Sequence, residues 1–230
     1  MPHITGLLGT FTSFQARRLL CEPHTLRLET LGIHEAEFVE RSTVTSVTAM
    51  LVSIPTLKHL HVSGAKDFQF IRLLPNLQTL RLSSFATQLI SSAAELCVGV
   101  GVGVGVCTQL TALTIECEPH LSSWLDTKHL CTLLAGLPNI ATLSIANLDQ
   151  LRSIRFLASK PLRHTLTAFS LAGCHFVSSD SMRHVFALQN QLVSLVIRDC
   201  FGNRQGSFDE FRAFDLPSER MPTLISSSII

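Results

Sequence analysis

The sequence predicts an α/β repeat solenoid, in which short parallel strands form one curved sheet and helices cover its convex side. Three observations predict this fold class. The pattern L-x-x-L-x-L recurs seven times along the chain. Apolar residues at helical spacing lie between several of the copies. The copies also return every few tens of residues, which is typical of stacked repeats. Because no copy can bury its apolar face alone, about seven repeats would share one continuous core.

Length and composition limit the classes of protein that the chain can represent. Its 230 residues are 46% hydrophobic and only 15% charged, which supplies a core and excludes a disordered chain. The net charge of +1 gives no field that would attract nucleic acid or an anionic membrane surface. We therefore expect neither nucleic acid nor a membrane as a partner.

The sequence shows no targeting or anchoring pattern. No stretch approaches the roughly 18 uninterrupted apolar residues of a membrane-spanning helix. No basic segment precedes the apolar N terminus, as it would in a secretory signal. The seven cysteines are widely spaced, which is typical of reduced thiols rather than of a disulfide framework. These features predict a cytoplasmic or nuclear protein.

Each copy of the template predicts one short strand. Successive side chains of a strand point to opposite faces, so the second and third apolar positions of the template would point into the core. In the fullest copy, LTAFSLAGCHF, Cys174 would be the buried residue at which the chain turns out of the strand. The seven copies begin at Leu28, Leu57, Leu77, Leu110, Ile140, Leu166 and Leu192.

Three segments between copies predict helices that return over the outer side of the sheet. Residues 41–54, 121–138 and 178–191 carry apolar side chains at helical intervals. Gly136 and Pro138 would end the second helix, and serines would cap the start of the third. The short unit after Leu57 predicts a turn in place of a full helix.

The run VGVGVGVGV, residues 98–106, is predicted to be a low-complexity insertion between the third and fourth copies. It fits neither the G-x-G-x-x-G pattern, because Val104 stands where the third glycine should be, nor the G-x-x-x-x-G-K-[ST] pattern, because no lysine follows. Alternate glycines make such a segment costly to order. A loop is therefore favoured over a phosphate-binding site.

The repeated template resembles that of the leucine-rich repeat family. The last two copies are similar to its cysteine-containing subtype, with Cys174 and Cys200 at the Asn/Cys position, and the lead-ins IPTLKHL, LPNLQTL and LPNIATL are typical of the family. The resemblance covers residues 24–202. It leaves 1–23 as an N-terminal segment that could be a partial repeat or a cap, and 203–230 as a C-terminal cap or tail.

Cysteine and histidine pairs are the candidates for chemistry. C-E-P-H occurs at Cys21–His24 and again at Cys117–His120, but three strand spacings, about 14 Å, would separate the two pairs, too far for one zinc ion. Cys174 and His175 are neighbours in an extended segment, where they would point to opposite faces. We expect no catalytic, cofactor-binding or metal-binding residue, and we expect the protein not to be an enzyme.

The residues between the apolar positions would form columns on the concave face of the sheet. The residues that we expect to contact a partner there are Lys58, His59, His61, Arg81, Glu116 and Arg198. The N-terminal third of this face is mildly basic, whereas the middle of the face carries small residues. The basic character comes from Lys58, His59, His61 and Arg81. An ordinary solvated sheet face is the alternative interpretation.

The resemblance implies a non-enzymatic module that binds a protein partner on its concave face and acts as a monomer. Cysteine-containing repeats are similar to those of F-box proteins, which implies a substrate-receptor or adaptor role in a ubiquitin ligase. The F-box of such receptors is longer than the segment before Leu28. Two alternatives stay open. One is a regulator of an enzyme, similar to GTPase-activating or ribonuclease-inhibitor-like repeat proteins, and the other is a truncated fragment without independent function.

Overall fold

The computed structural model describes residues 6–10, 28–34, 54–63, 74–83, 108–117, 127–135, 137–178 and 191–200, with a few positions between and after them. One parallel sheet of nine strands runs through these residues, and the order of its strands follows the order of the chain. The strands are β1 (Gly6–Thr10), β2 (Thr30–His34), β3 (His59–Ser63), β4 (Thr79–Ser83), β5 (Ala112–Glu116), β6 (Thr142–Ala146), β7 (Ala168–Ala172), β8 (Ser194–Arg198) and β9 (Thr223–Leu224).

Helices lie between some of these strands. Helix α1 (Thr127–Ala135) connects β5 to β6, while a short 3-10 helix (Arg155–Ala158) and helix α2 (Lys160–Thr165) connect β6 to β7. The predicted α/β class and parallel sheet are confirmed. Within the described part of the chain, no helix is both long and apolar enough to cross a bilayer.

The seven template copies coincide with β2 to β8 and share one register. Leu31 of β2 aligns with Leu60 of β3, and this column continues through the second residue of each following strand to Leu195 of β8. The second and third apolar positions of every copy are at most 6% exposed. Each column of apolar side chains therefore continues without a break from one copy to the next, and the core consists of these columns.

The start of each strand repeats a single hydrogen-bond arrangement. The N–H groups of Lys58 and His59 both donate to the carbonyl of Glu29, and the equivalent pair of N–H groups converges on one carbonyl at each of the next five strands, ending with Val193 and Ser194. The lead-ins add a side-chain bond, because the amide of Asn76 donates to the Pro55 carbonyl of the preceding unit. In β2 to β8, the residue before the strand and the first strand residue are both exposed or half-exposed.

The chain leaves the last strands through left-handed residues. Asn147, Gly173 and Asp199 follow β6, β7 and β8 at one register position and have φ angles of 57°, 60° and 49°. The next residue along is completely buried in each case, and two of these buried residues are Cys174 and Cys200. Both cysteines therefore occupy the turn position predicted for them.

Burial sets the chemistry of these two thiols. It raises the pKa of Cys174 to about 12 and the pKa of Cys200 to about 11, so both stay protonated at neutral pH. The Cys200 thiol donates to the Arg198 carbonyl at 3.1 Å.

Iodoacetamide labelling at pH 8, mapped by peptide mass spectrometry, is expected to reach Cys174 and Cys200 far more slowly than the exposed Cys131 of α1. The physical reason is that only the thiolate reacts and that burial keeps the two thiols both protonated and inaccessible. Denatured chain is the control, in which the three sites should react alike. Equal rates in the native protein would contradict the burial of Cys174 and Cys200.

The helix predictions are met in part. Helix α1 lies inside the predicted segment 121–138, ends before Gly136 as expected, and buries Leu130, Leu133 and Leu134. Leu51 of the first segment and Val185 of the third are buried helical residues. Most of 41–50, 121–126 and 182–190 lies outside the described residues, as do the VG run and the unit predicted as a turn after β3.

Hydroxyl-bearing residues link the three connections between β5 and β8. They are Thr127, Ser153 and Ser181. Ser181 is 1% exposed, and its Oγ accepts a hydrogen bond from the Ile154 N–H at 2.7 Å while it lies 3.0 Å from the Ser153 Oγ. Ser153 in turn receives the Thr127 hydroxyl on its carbonyl. The buried Ile154 N–H and the half-buried Ser153 carbonyl, both in the connection between β6 and β7, are satisfied in this way.

Four elements were not predicted from the sequence: the 3-10 helix, α2, β1 and β9. Helix α2 has only six residues, too few for a helical period to be detected. Strand β1 pairs with β2 so that Gly9 aligns with Ile33, and β9 pairs its Leu224 with Leu195. The segments 1–23 and 203–230, assigned to the ends of the protein, thus each contribute one strand to the sheet.

Candidate functional site

The sheet has one face that the core does not cover, which we call the exposed face. It consists of the residue before each strand and the first and third strand residues in β2 to β8, with the fifth strand residue from β3 onwards. Gly32, Ser63 and Ser83 are buried members of this face. The pairings of β2 to β8 place the residues of the central column side by side in the predicted order. That column is Gly32, His61, Arg81, Thr114, Ser144, Ser170 and Val196.

An ion pair lies at the β2–β3 end of the exposed face. The Lys58 Nζ is 2.8 Å from the Glu29 Oε1, and the two side chains are 40% and 47% exposed. The hydrogen bond from Lys58 and the charge of its ammonium group lower the pKa of Glu29. A surface pair of this kind contributes little stability, because water screens it. The ion pair does neutralise the charge of Lys58, the lysine that we expected to contact a partner.

Replacing Lys58 with methionine is expected to raise the pKa of Glu29 towards the ordinary carboxyl value of about 4.3. A lowered pKa means that the interaction is present above the ordinary value and is lost as the pH falls through the lowered one. Carbon-13 NMR titration of the Glu29 carboxylate measures the change, with Arg155→Met, which lies outside the exposed face, as the control. An unchanged titration curve in Lys58→Met would show that the ion pair does not form.

Two histidines of β3 follow along the same face, and each is held by a hydroxyl group of β4. The His59 Nδ1 lies 3.0 Å from the Thr79 Oγ1, and the His61 Nε2 lies 2.9 Å from the Ser83 Oγ. Both rings are half-buried. The hydroxyls fix the orientation of the imidazoles and join β3 to β4 through side chains as well as through the backbone.

A second ion pair joins β4 to β5. The Arg81 Nη2 donates to the Glu116 Oε2 at 2.9 Å, and the side chains are 51% and 39% exposed. The pair runs diagonally, because Arg81 aligns with Thr114 rather than with Glu116. Arg81, which we expected to contact a partner, is therefore already paired with a carboxylate.

Towards the C-terminal end, the exposed face first becomes small and neutral. Its positions on β6 and β7 carry Ala, Thr and Ser, with Ser144 and Ser170 in the central column. On β8 the composition changes again, with Val193, Val196 and Arg198. Val193 is 68% exposed. Val193 and Val196 were not among the expected contact residues. A search for apolar residues at positions predicted to be exposed could have found them.

The structure groups five of the six expected contact residues and separates the sixth. The five, on adjacent strands β3 to β5, are Lys58, His59, His61, Arg81 and Glu116. Arg198 lies three strand spacings from Glu116, about 14 Å along the sheet. The exposed face thus has two chemically different ends, an internally paired polar network and a patch on β8.

The candidates for metal and nucleophile chemistry do not come together among the described residues. Within that part of the chain, no three His, Cys, Asp or Glu side chains are grouped as metal ligands would be. Cys117 is buried directly after β5, while Cys21, His24 and His120 lie outside the described residues. Cys174 is buried and His175 exposed, so the two cannot act on one substrate atom.

Comparison with known proteins identifies no family for the chain. No protein-family model matches the chain, and no curated protein matches it significantly. The resemblance to leucine-rich repeats therefore rests on the chain's own template.

Proposed function

We propose that the chain is a non-enzymatic leucine-rich-repeat module, with a curved sheet, whose exposed face binds a protein partner. One observation carries the proposal: seven strands in a single register present their side chains on one continuous face. Six strand spacings make this face about 29 Å wide. Repeat proteins use extended surfaces of this kind to hold partners.

Several features support the repeat assignment within this proposal. The strands follow chain order, the template positions are buried in every copy except for the half-buried Leu192, and the turn residues Cys174 and Cys200 stand at equivalent places. A solenoid of stacked units accounts for all of these features, because each unit packs only against its neighbours.

The chemistry of the exposed face favours a protein over a polyanion as the partner. The Glu29 and Glu116 carboxylates neutralise two of the cations on this face, and the chain carries a net charge of only +1. Binding to phosphate backbones depends on several unpaired cations. We propose a monomeric cytoplasmic or nuclear protein in a substrate-receptor or adaptor role, as the cysteine-containing repeats suggest.

Capture of partners from native extract tests the proposal. A double variant, His61→Glu with Arg81→Glu, places negative charge on the exposed face next to Glu116 and is expected to reduce capture at least about tenfold. Arg155→Glu is the matched control, because Arg155 is exposed on the 3-10 helix. Circular dichroism checks that both variants fold. Undiminished capture by the double variant, or equal loss in the control, would contradict binding through the exposed face.

A further inference from the structure

Arg198 differs from the other arginine and the lysine on the exposed face. Lys58 and Arg81 each hold a carboxylate at 2.8 and 2.9 Å. Among the described residues, by contrast, no carboxylate lies within ion-pair distance of the Arg198 guanidinium, not even that of the adjacent Asp199. Arg198 is exposed. Its charge is thus available to a group outside the chain.

Two apolar side chains accompany this charge on β8. Val193 is 68% exposed, and it is one of two large hydrophobic residues exposed in the described part of the chain. Val196 is half-buried in the central column of the exposed face, next to Ser170. Val196 and Arg198 are two residues apart, which separates their Cα atoms by about 6.6 Å on the same side of the strand. We call Val193, Val196 and Arg198 the β8 patch.

We propose that the β8 patch binds an acidic segment of a partner protein, in which a carboxylate pairs with Arg198 and a neighbouring aliphatic side chain packs against Val196. The inference rests on the proposed function and specifies its partner's chemistry. Arginine pairs with a carboxylate through two parallel hydrogen bonds. Apolar contacts beside such a pair exclude water from it and strengthen it.

The composition of the patch favours this occupant over a phosphate-bearing one. One arginine provides a single charge contact, whereas phosphate-backbone binding draws its strength from many. Val196 also gains nothing from a phosphate, while the exposed part of its side chain gains from burial under a methyl-rich side chain. An acidic residue spaced two positions from a leucine matches the separation between Val196 and Arg198.

Immobilised short peptides test the proposal with the full chain in solution. One set carries Leu-x-Glu in a Gly/Ser background, a second carries Leu-x-Lys, and a third carries Ser-x-Glu. We expect the wild-type chain to prefer Leu-x-Glu over Leu-x-Lys by about tenfold. The variant Arg198→Glu is expected to reverse this preference. Val196→Ser is expected to weaken binding of Leu-x-Glu severalfold without changing the preference for charge.

The variant Ser144→Arg, on β6 of the same face, separates failure of this inference from failure of the proposed function. Peptide binding that depends on Ser144 but not on Arg198 would overturn the inference and leave the exposed face as the binding surface. Peptide binding that depends on neither Ser144 nor Arg198 would count against both this inference and the proposed function. A wild-type chain that binds no peptide set would overturn the inference, and the capture experiment would then decide the proposed function alone.

A second copy of the chain is the competing occupant of the patch. Light scattering of the wild type and of Arg198→Glu tests it on the same samples. A wild-type dimer that Arg198→Glu converts to monomer would overturn the proposal in favour of self-association. An identical monomer mass for the two chains, together with the reversed peptide preference, supports it.

Discussion

Replacing Phe169 with alanine is expected to lower the free energy of unfolding by about 3–5 kcal/mol. Phe169 is the second residue of β7, is 1% exposed, and aligns with Leu143 of β6 and Leu195 of β8. Removing its ring would leave a cavity between two neighbouring strands and forfeit the burial of a large apolar side chain. Because the stability of a folded domain is about 5–15 kcal/mol, this loss is a large share of it. Urea denaturation followed by circular dichroism measures the change.

Ser170→Ala is the matched control for Phe169→Ala. Ser170 is the next residue in β7, but its side chain belongs to the exposed face and is half-buried, so its removal should change stability by no more than about 0.5 kcal/mol. A loss below about 1 kcal/mol in Phe169→Ala, or similar losses in the two variants, would contradict the alternation of buried and exposed residues in β7.

Replacing Gly173 with alanine is expected to cost about 2 kcal/mol or more, the second largest effect. Gly173 has a φ of +60°, a conformation that costs residues with a side chain about 1–2 kcal/mol. A Cβ at this position would also collide with the Asn147 Oδ1. The Asn147 amide cannot move without strain, because its Nδ2 donates to the Cys117 carbonyl at 3.0 Å. Thermal or urea denaturation measures the loss.

A double-mutant cycle separates the two contributions at Gly173. Asn147→Ala alone loses one hydrogen bond, worth about 0.5–1.5 kcal/mol. With that side chain removed, Gly173→Ala should cost only the backbone strain, so the double variant should lose less than the sum of the single variants. Asp199→Gly, at the equivalent position after β8, should change stability little. Additive losses would contradict the contact between Asn147 and the added Cβ.

The strands of the repeats could be predicted from sequence, because the apolar period of the template is strong in seven copies. Strands β1 and β9 could not be, because Gly9 and Ser226 stand where the third apolar residue of the template should be. The left-handed turn residues Asn147, Gly173 and Asp199 belong to types that tolerate positive φ, so their composition held a usable signal. Helix α2, with six residues, was too short to show a helical period in the sequence.

The columns of the exposed face could also be predicted, since a constant register follows from a constant template. The pairing of their charges could not. The Arg81–Glu116 ion pair runs diagonally across two strands that are 35 residues apart in the chain, and its formation depends on side-chain torsions that no sequence period encodes. The exposure of Val193 could have been predicted, because it stands between the apolar positions of the template.

Site-specific photo-crosslinking tests most directly whether the exposed face binds the partner. A diazirine-bearing residue is placed at Thr142, exposed on β6, and in a second chain at Arg155, exposed on the 3-10 helix outside that face. Each chain is irradiated in native extract, and the crosslinked proteins are identified by mass spectrometry. We expect a discrete crosslinked partner from Thr142 and none of that partner from Arg155. The same partner crosslinked from Arg155 and not from Thr142 would contradict binding through the exposed face.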